Sequence, residues 1–158
     1  MRVGITGHRG LGEQTEKLVK GALLQALDDL EPTELCLVSC IADGPDAWAA
    51  EAALDLGGRI EVVIPAAQYR DSLPTTHHAT YDRLLAAAVE VHETGMVEST
   101  EHAHMAGSEI LVGLVDRLYA VWDGQPARGY GGTADVVDYA RSMGVPVTVL
   151  WPDGASRD

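Results

Sequence analysis

Apolar and polar positions alternate between two periods along this chain. Short aliphatic or β-branched runs at 2–6 (RVGIT), 34–39 (ELCLVS), 59–65 (RIEVVIP), 116–123 (DRLYAVWD) and 145–151 (VPVTVLW) predict strands. Between them, residues 13–30 repeat apolar side chains at helical spacing through Leu18, Ala22, Leu23, Ala26, Leu27 and Leu30. Residues 45–57 predict a helix with Pro45 in its first turn and Gly57 past its end. Further helices are predicted over 76–88, 101–115 and 133–144, with a short strand at 89–93. The pattern is weakest over 66–100.

The strands are apolar throughout rather than alternating, which predicts parallel strands covered on both faces. The fold class is therefore α/β: a single Rossmann-like domain with an open, mostly parallel sheet and helices on both faces. It should span residues 1–152, and the polar tail 153–158 is expected to fray. The run ILVGLV (110–115) is apolar on all sides, so its helix is either sandwiched within the domain or paired with a second copy. A homodimer or higher homo-oligomer is expected.

Composition adds boundaries. Hydrophobic residues make up 46% and charged residues 22%, the balance of a globular protein. The net charge of −13 argues against nucleic acid and against an anionic membrane surface as partners. A small anionic ligand remains compatible, because one arginine and a helix N-terminus reverse the field locally. No run approaches the ~20 apolar residues of a membrane span, and MRVGIT enters a strand with no leader ahead of it, so a cytoplasmic location is expected. Cys36 and Cys40 would lie about 13 Å apart on one strand, too far to pair, and read as buried thiols.

Ligands of open parallel sheets bind beyond the carboxyl ends of the strands. The loops leaving those ends are TGHRGLG, CIADGPD, PAAQYR and DGQPARGYGGT, and they hold Arg9, Arg70 and Arg128. The loops at the other end are plain. Gly7, Gly10 and Gly12 lack the dinucleotide spacing, while Arg9 matches the geometry of a phosphate. Asp46 falls in a first helical turn, where it either balances the helix dipole or meets a ribose hydroxyl. Gly131, Gly132 and Thr133 open the last helix, where free backbone N–H groups favour an anion. The only lysines, Lys17 and Lys20, lie on the first helix, which disfavours a Schiff-base cofactor. The histidine pairs His77-His78 and His102-x-His104 lack a third ligand in register. No cofactor and no metal are expected.

The segments VGITGHRGLG, ADGPDAWAAEAALDLG, EVVIP and DRLYAVWDGQPARGYGGTADVVDYA together resemble the SLOG superfamily, which joins the DprA/Smf proteins to the LOG phosphoribohydrolases. The resemblance implies nucleotide or nucleotide-derivative binding at the glycine turn. LOG enzymes carry a motif of the form PGGxGTxxE. With its Thr on Thr133, Gly132 takes the preceding glycine, Tyr130 and Gly129 take the glycine pair, and Val136 takes the catalytic Glu. The Arg-Lys pair of those enzymes falls roughly on Gly107 and Ser108. The resemblance thus favours binding over catalysis.

The sequence reading is a nucleotide-binding protein with its phosphate on the 131–133 turn. Gly7, Arg9, Ser39, Asp46, Asp123, Gly131, Gly132 and Thr133 are the candidate binding residues, and the catalytic residues are unassigned. The alternative is an N-glycosidic-bond hydrolase or transferase using Asp135, Asp123 or Glu109.

Overall fold

The apolar runs and helical repeats become thirteen elements in the computed structural model, which describes residues 1–157. In chain order they are β1 Arg2–Gly7, α1 Glu13–Asp28, β2 Cys36–Ser39, α2 Pro45–Asp55, β3 Arg59–Ile64, α3 Tyr69–Ser72, a 3₁₀ turn Thr75–His77, α4 His78–Ala87, β4 Glu90–Glu93, α5 Glu101–Leu114, β5 Arg117–Val121, α6 Thr133–Ser142 and β6 Val147–Val149. All six strands pair in parallel, in the order β4-β3-β2-β1-β5-β6. The chain winds outward from β1 to β4, then returns through α5 to place β5 on the other side of β1. That reversal makes β1 and β5 the switch point, where the crevice of such a sheet opens.

The central strands are buried on both faces, as their unbroken apolar runs require: Cys36 to Ser39 are all buried. Helices α1, α2 and α4 pack together on one side, and α5 and α6 pack together on the other. Leu111 and Val112 of α5 are buried against the sheet, so the apolar ILVGLV run faces inward to the domain. Cys36 and Cys40 are buried free thiols. No helix is long and apolar enough to cross a membrane.

The tail is tied to the domain at Ser156, where its polar composition suggests fraying. Thr15 Oγ1, buried on α1, donates to the Ser156 carbonyl at 3.2 Å and accepts the Ser156 amide at 3.0 Å. Two hydrogen bonds from a buried hydroxyl hold the tail against the domain.

One close approach sets the position of α5 over β1. A Cβ added at Gly4 would lie 2.7 Å from Leu111 Cδ2 and 3.2 Å from Leu118 Cδ1. Gly4→Val is therefore expected to overpack this contact and cost about 1–3 kcal/mol, read as a lowered urea midpoint with unchanged slope.

Candidate functional site

A cavity of about 280 Å³ opens at the carboxyl edge of the sheet, across the ends of β1, β2 and β3 and against the start of α6. Its walls include six of the eight sequence-chosen residues: Gly7, Arg9, Asp46, Gly131, Gly132 and Thr133. Ser39 and Asp123 stand behind the wall. Ser39 Oγ accepts the Ile41 amide at 2.9 Å and donates to the Asp46 carbonyl at 3.0 Å. It fastens a turn in which Ile41 takes a positive φ of 47°, an unfavourable conformation for a β-branched residue. Ser39 thus positions the start of α2 rather than facing a ligand.

Gly7 lies where α2 meets the sheet: an added Cβ would fall 2.8 Å from Pro45 Cβ and 2.9 Å from Val121 Cβ. At the start of α6, Gly131 has φ +83°, and its amide donates to Asp135 Oδ2 at 2.9 Å. A Cβ at Gly132 would meet Ala127 Cβ at 2.9 Å. Both glycines are thus required by the loop's own packing, as well as leaving the helix start open. The amides of Thr133 and Ala134 have no acceptor among the described residues, as expected for the first turn of a helix. The Thr133 side chain is nearly buried, lines the cavity and makes no hydrogen bond among the described residues.

Arg9 also lines the cavity, but its guanidinium is held by Asp43, with Nε at 2.9 Å and Nη2 at 2.7 Å from Oδ1. Arg70 leaves the site, since it forms a two-pronged pair with Asp82 at 2.8 and 2.9 Å. Arg128 is exposed on the loop before α6.

Asp46 is the single carboxylate among the described cavity-lining residues. It keeps partial contact with solvent, yet burial pushes its pKa up from 3.8 to about 7, against the Ala42 amide and Arg9, which lower it. Close by, the Tyr69 ring is buried and lines the cavity, and its hydroxyl has no partner among the described residues. Burial, reinforced by the neighbouring Cys40 and Asp46, pushes the Tyr69 hydroxyl up as well. His104, stacked edge-on against Tyr69 at 5.6 Å, bonds to Ser99 Oγ at 2.8 Å. Burial, then the Arg9 charge, lowers its pKa and so favours the neutral imidazole.

At the β1/β5 end, His8 Nε2 sits 3.1 Å from both the amide nitrogen and Oδ1 of Asp123. Unprotonated, that nitrogen accepts the amide; protonated, it donates to the carboxylate. Burial and the Arg157 charge lower the His8 pKa and outweigh Asp123. Burial raises the Asp123 pKa, but the Gln125 amide, His8 and Arg157 bring it below the usual carboxylate range.

Tyr69, His104, Ser108 and Arg157 line the cavity and were not chosen from the sequence. The loop PAAQYR had pointed to Arg70, one position from the residue that turns inward. The polar composition of the tail that carries Arg157 predicts fraying and gives no sign of this role. Val136, on which the resemblance to LOG enzymes would place their glutamate, is buried on the cavity wall. Of the alternative carboxylates, Asp135 is bound to the Gly131 amide, Asp123 to His8, and Glu109 does not line the cavity.

A second polar cluster lies away from the cavity on the lower part of the sheet. Buried Glu61 accepts Arg2 Nε at 2.8 Å, Cys36 Sγ at 3.2 Å and His92 Nε2 at 2.8 Å. Burial pushes this carboxyl up, but the three hydrogen bonds hold it below its ordinary range. Glu61, Glu90 and His92 bring three possible ligand atoms within 4.8 Å of one another, but Arg2 already pairs with both carboxylates.

No family model matches the sequence, and no curated protein matches it. Solved structures do share the fold. Over 94% of its length the chain is similar to DNA processing protein A of Streptococcus pneumoniae, with a TM-score of 0.67 and 23% identity. It spans about half of that protein, 49% of its length. Over 99% of its length it is similar to DNA processing protein A of Helicobacter pylori, which binds single-stranded DNA (TM-score 0.69, 17% identity, 68% of that chain). A molybdenum cofactor binding protein from Rippkaea orientalis is similar over 96% of this chain and 77% of its own, with a TM-score of 0.63 and 19% identity.

The second of these overturns the exclusion of nucleic acid. A fold of this kind serves a protein that binds single-stranded DNA. The total charge of −13 sums the whole surface and does not fix the field at one edge, where Arg9, Arg128 and Arg157 gather.

Asp46 supplies a test of the site's electrostatics. Between 3.8 and about 7 the folded protein keeps a proton that the unfolded chain has released, so its burial penalty is full above pH 7 and vanishes below about 4. Asp46→Asn should therefore be more stable than the parent at pH 8, by about 1–3 kcal/mol, with the gap closing as pH falls towards 4. Thermal melts of both proteins across that range check it; a gap independent of pH would contradict it.

The six parallel strands and their helices form a Rossmann-like α/β fold, the fold shared with these solved structures.

Proposed function

We propose that the protein binds a phosphate-bearing nucleotide or nucleotide derivative in the cavity, with the phosphate at the start of α6. The observation that carries this reading is the cavity-facing Thr133 hydroxyl beside the Thr133 and Ala134 amides, three donors without acceptors among the described residues. At the other end of the cavity, Asp46 and Tyr69 offer an acceptor and a hydroxyl to a polar group of the ligand. The cavity volume is close to the lower end of the range for small-molecule sites, ~300 Å³. Similarly folded proteins bind single-stranded DNA and the molybdenum cofactor, ligands that both contain phosphate.

Catalysis at an N-glycosidic bond has less support. It needs a carboxylate near the developing cation, and the position of the LOG glutamate holds Val136. Asp46 is in the cavity, but burial holds much of it protonated at neutral pH, which suits hydrogen bonding better than charge stabilisation.

A second reading, single-stranded DNA binding, draws on one specific feature. Tyr130 is 54% exposed beside exposed Arg128 on the loop that leads into α6. An aromatic face next to a guanidinium is a stacking platform for a base with a phosphate beside it.

Calorimetric titration with adenosine monophosphate tests the first reading. Thr133→Val keeps the shape and removes one donor to a charged group, and a loss of about tenfold or more in affinity is expected. Unchanged affinity would place the ligand elsewhere. Fluorescence anisotropy with an oligothymidine strand tests the second: Tyr130→Ala should weaken strand binding about tenfold or more. Equal strand binding by parent and variant would remove the platform from consideration.

A further inference from the structure

The cavity holds two arginines, and their situations differ. Arg9 is half exposed and already bound twice to Asp43 Oδ1, at 2.9 and 2.7 Å. Arg157 is 17% exposed, and its one ion pair among the described residues is loose, with Nη1 3.7 Å from Asp123 Oδ2. That distance is beyond hydrogen-bond length, so the guanidinium donors of Arg157 are not committed to Asp123. None of its nitrogens is buried without a partner, and the residue lines the cavity. The backbone that carries Arg157 is not free: the preceding Ser156 is hydrogen-bonded through both its amide and its carbonyl to Thr15. Trp151, just ahead of the tail, packs edge-on against His8 at 5.8 Å. A fixed strap thus presents a charged fork with unused donors at the wall of a cavity that also contains the open start of α6.

We propose that Arg157 is a ligand-binding residue and that, with the α6 start, it selects a terminal phosphate over a phosphate bridging two nucleotides. This rests on the reading of the cavity as a phosphate site. The donors approach from two elements: the Thr133 and Ala134 amides with the Thr133 hydroxyl from α6, and the Arg157 fork from the tail. A terminal phosphate has three free oxygens and two negative charges near neutral pH, enough to occupy both sets at once. A bridging phosphate has two free oxygens and one charge, and its chain must leave the cavity on both sides. Arginine suits this work because its planar fork binds two oxygens together, a geometry that lysine does not reproduce. When phosphate enters, Arg157 exchanges its loose contact with Asp123 for the ligand.

The test compares adenosine 5′-monophosphate with its 5′-methyl phosphate ester, which has the same base and sugar but one fewer free oxygen and charge. Affinities are measured by calorimetry at pH 7.5 for the parent, Arg157→Gln and Arg157→Lys. The parent should bind the monophosphate at least tenfold more tightly than the ester. Arg157→Gln should lower monophosphate affinity tenfold or more and shrink that preference, and Arg157→Lys should restore only part of it. Circular dichroism melts of the variants check that the tail change leaves the fold intact. If the parent binds the monophosphate and Arg157→Gln binds it equally well, the role of Arg157 is overturned while the phosphate site stands. If Arg157→Gln weakens both ligands by the same factor, the arginine binds but does not select, and the proposed selectivity fails. If the parent binds neither ligand, the phosphate reading itself fails and takes this inference with it.

Discussion

The pairing of β1 with β5 is the constraint on which the rest of the structure depends. Its parallel register runs from Val3 opposite Arg117 to Gly7 opposite Val121, so the two strands end level. The His8 amide extends the ladder by one bond to the Val121 carbonyl at 3.2 Å. Because β2 leaves on one side of β1 and β5 arrives on the other, the loops beyond their ends diverge and leave a crevice between them. The absence of a side chain at Gly7 lets Pro45 close against the strand, which brings the first turn of α2 to the rim. On the opposite bank the loop after β5 folds on itself, with the Gly132 amide bonded to the Gly129 carbonyl at 3.2 Å, and delivers the start of α6. A slip of one residue between β1 and β5 would separate His8 from Asp123 and displace both banks.

Within that crevice the molecule accepts an unfavourable burial. Asp46 sits in the first turn of α2, where a carboxylate ordinarily gains from the helix dipole, yet burial outweighs that benefit and raises its pKa to about 7. Tyr69 adds a buried ring whose hydroxyl stays accessible and makes no hydrogen bond among the described residues. An apolar pair at these positions would pack without that cost. Polar groups kept in such surroundings are characteristic of sites whose geometry serves a ligand rather than the fold. The Glu61 cluster is the contrast: its carboxylate is buried but meets Arg2, Cys36 and His92, so its polarity is satisfied from within.

The fold was legible in the sequence because its central strands are apolar runs and its helices keep their period, whereas β4, the polar and mostly exposed EVHE, lies in the stretch where the pattern was weakest. The edge that carries the cavity was legible from the uneven chemistry of the loops. Individual side chains were harder to read. In the loop after β3, one position separates Tyr69, which turns inward, from Arg70, which turns out to Asp82, and a four-residue helix has too few repeats to reveal which faces the sheet. Ser39 and Asp123 lie at the correct edge, but their partners, the Asp46 carbonyl and His8, draw them behind the wall. The tail was illegible because its hold on the domain is a pair of bonds between residues 141 positions apart. No local pattern encodes such a contact.

That hold has a topological consequence. Since Ser156 is fixed on α1 and Arg157 reaches the cavity wall, any polypeptide that continues past residue 157 must depart from the rim of the crevice. A domain, a fusion partner or a purification tag joined there would not trail away from the far side of the molecule. It would begin as a neighbour of the opening, able to screen it, to lend it further side chains, or to feel through the strap whatever enters.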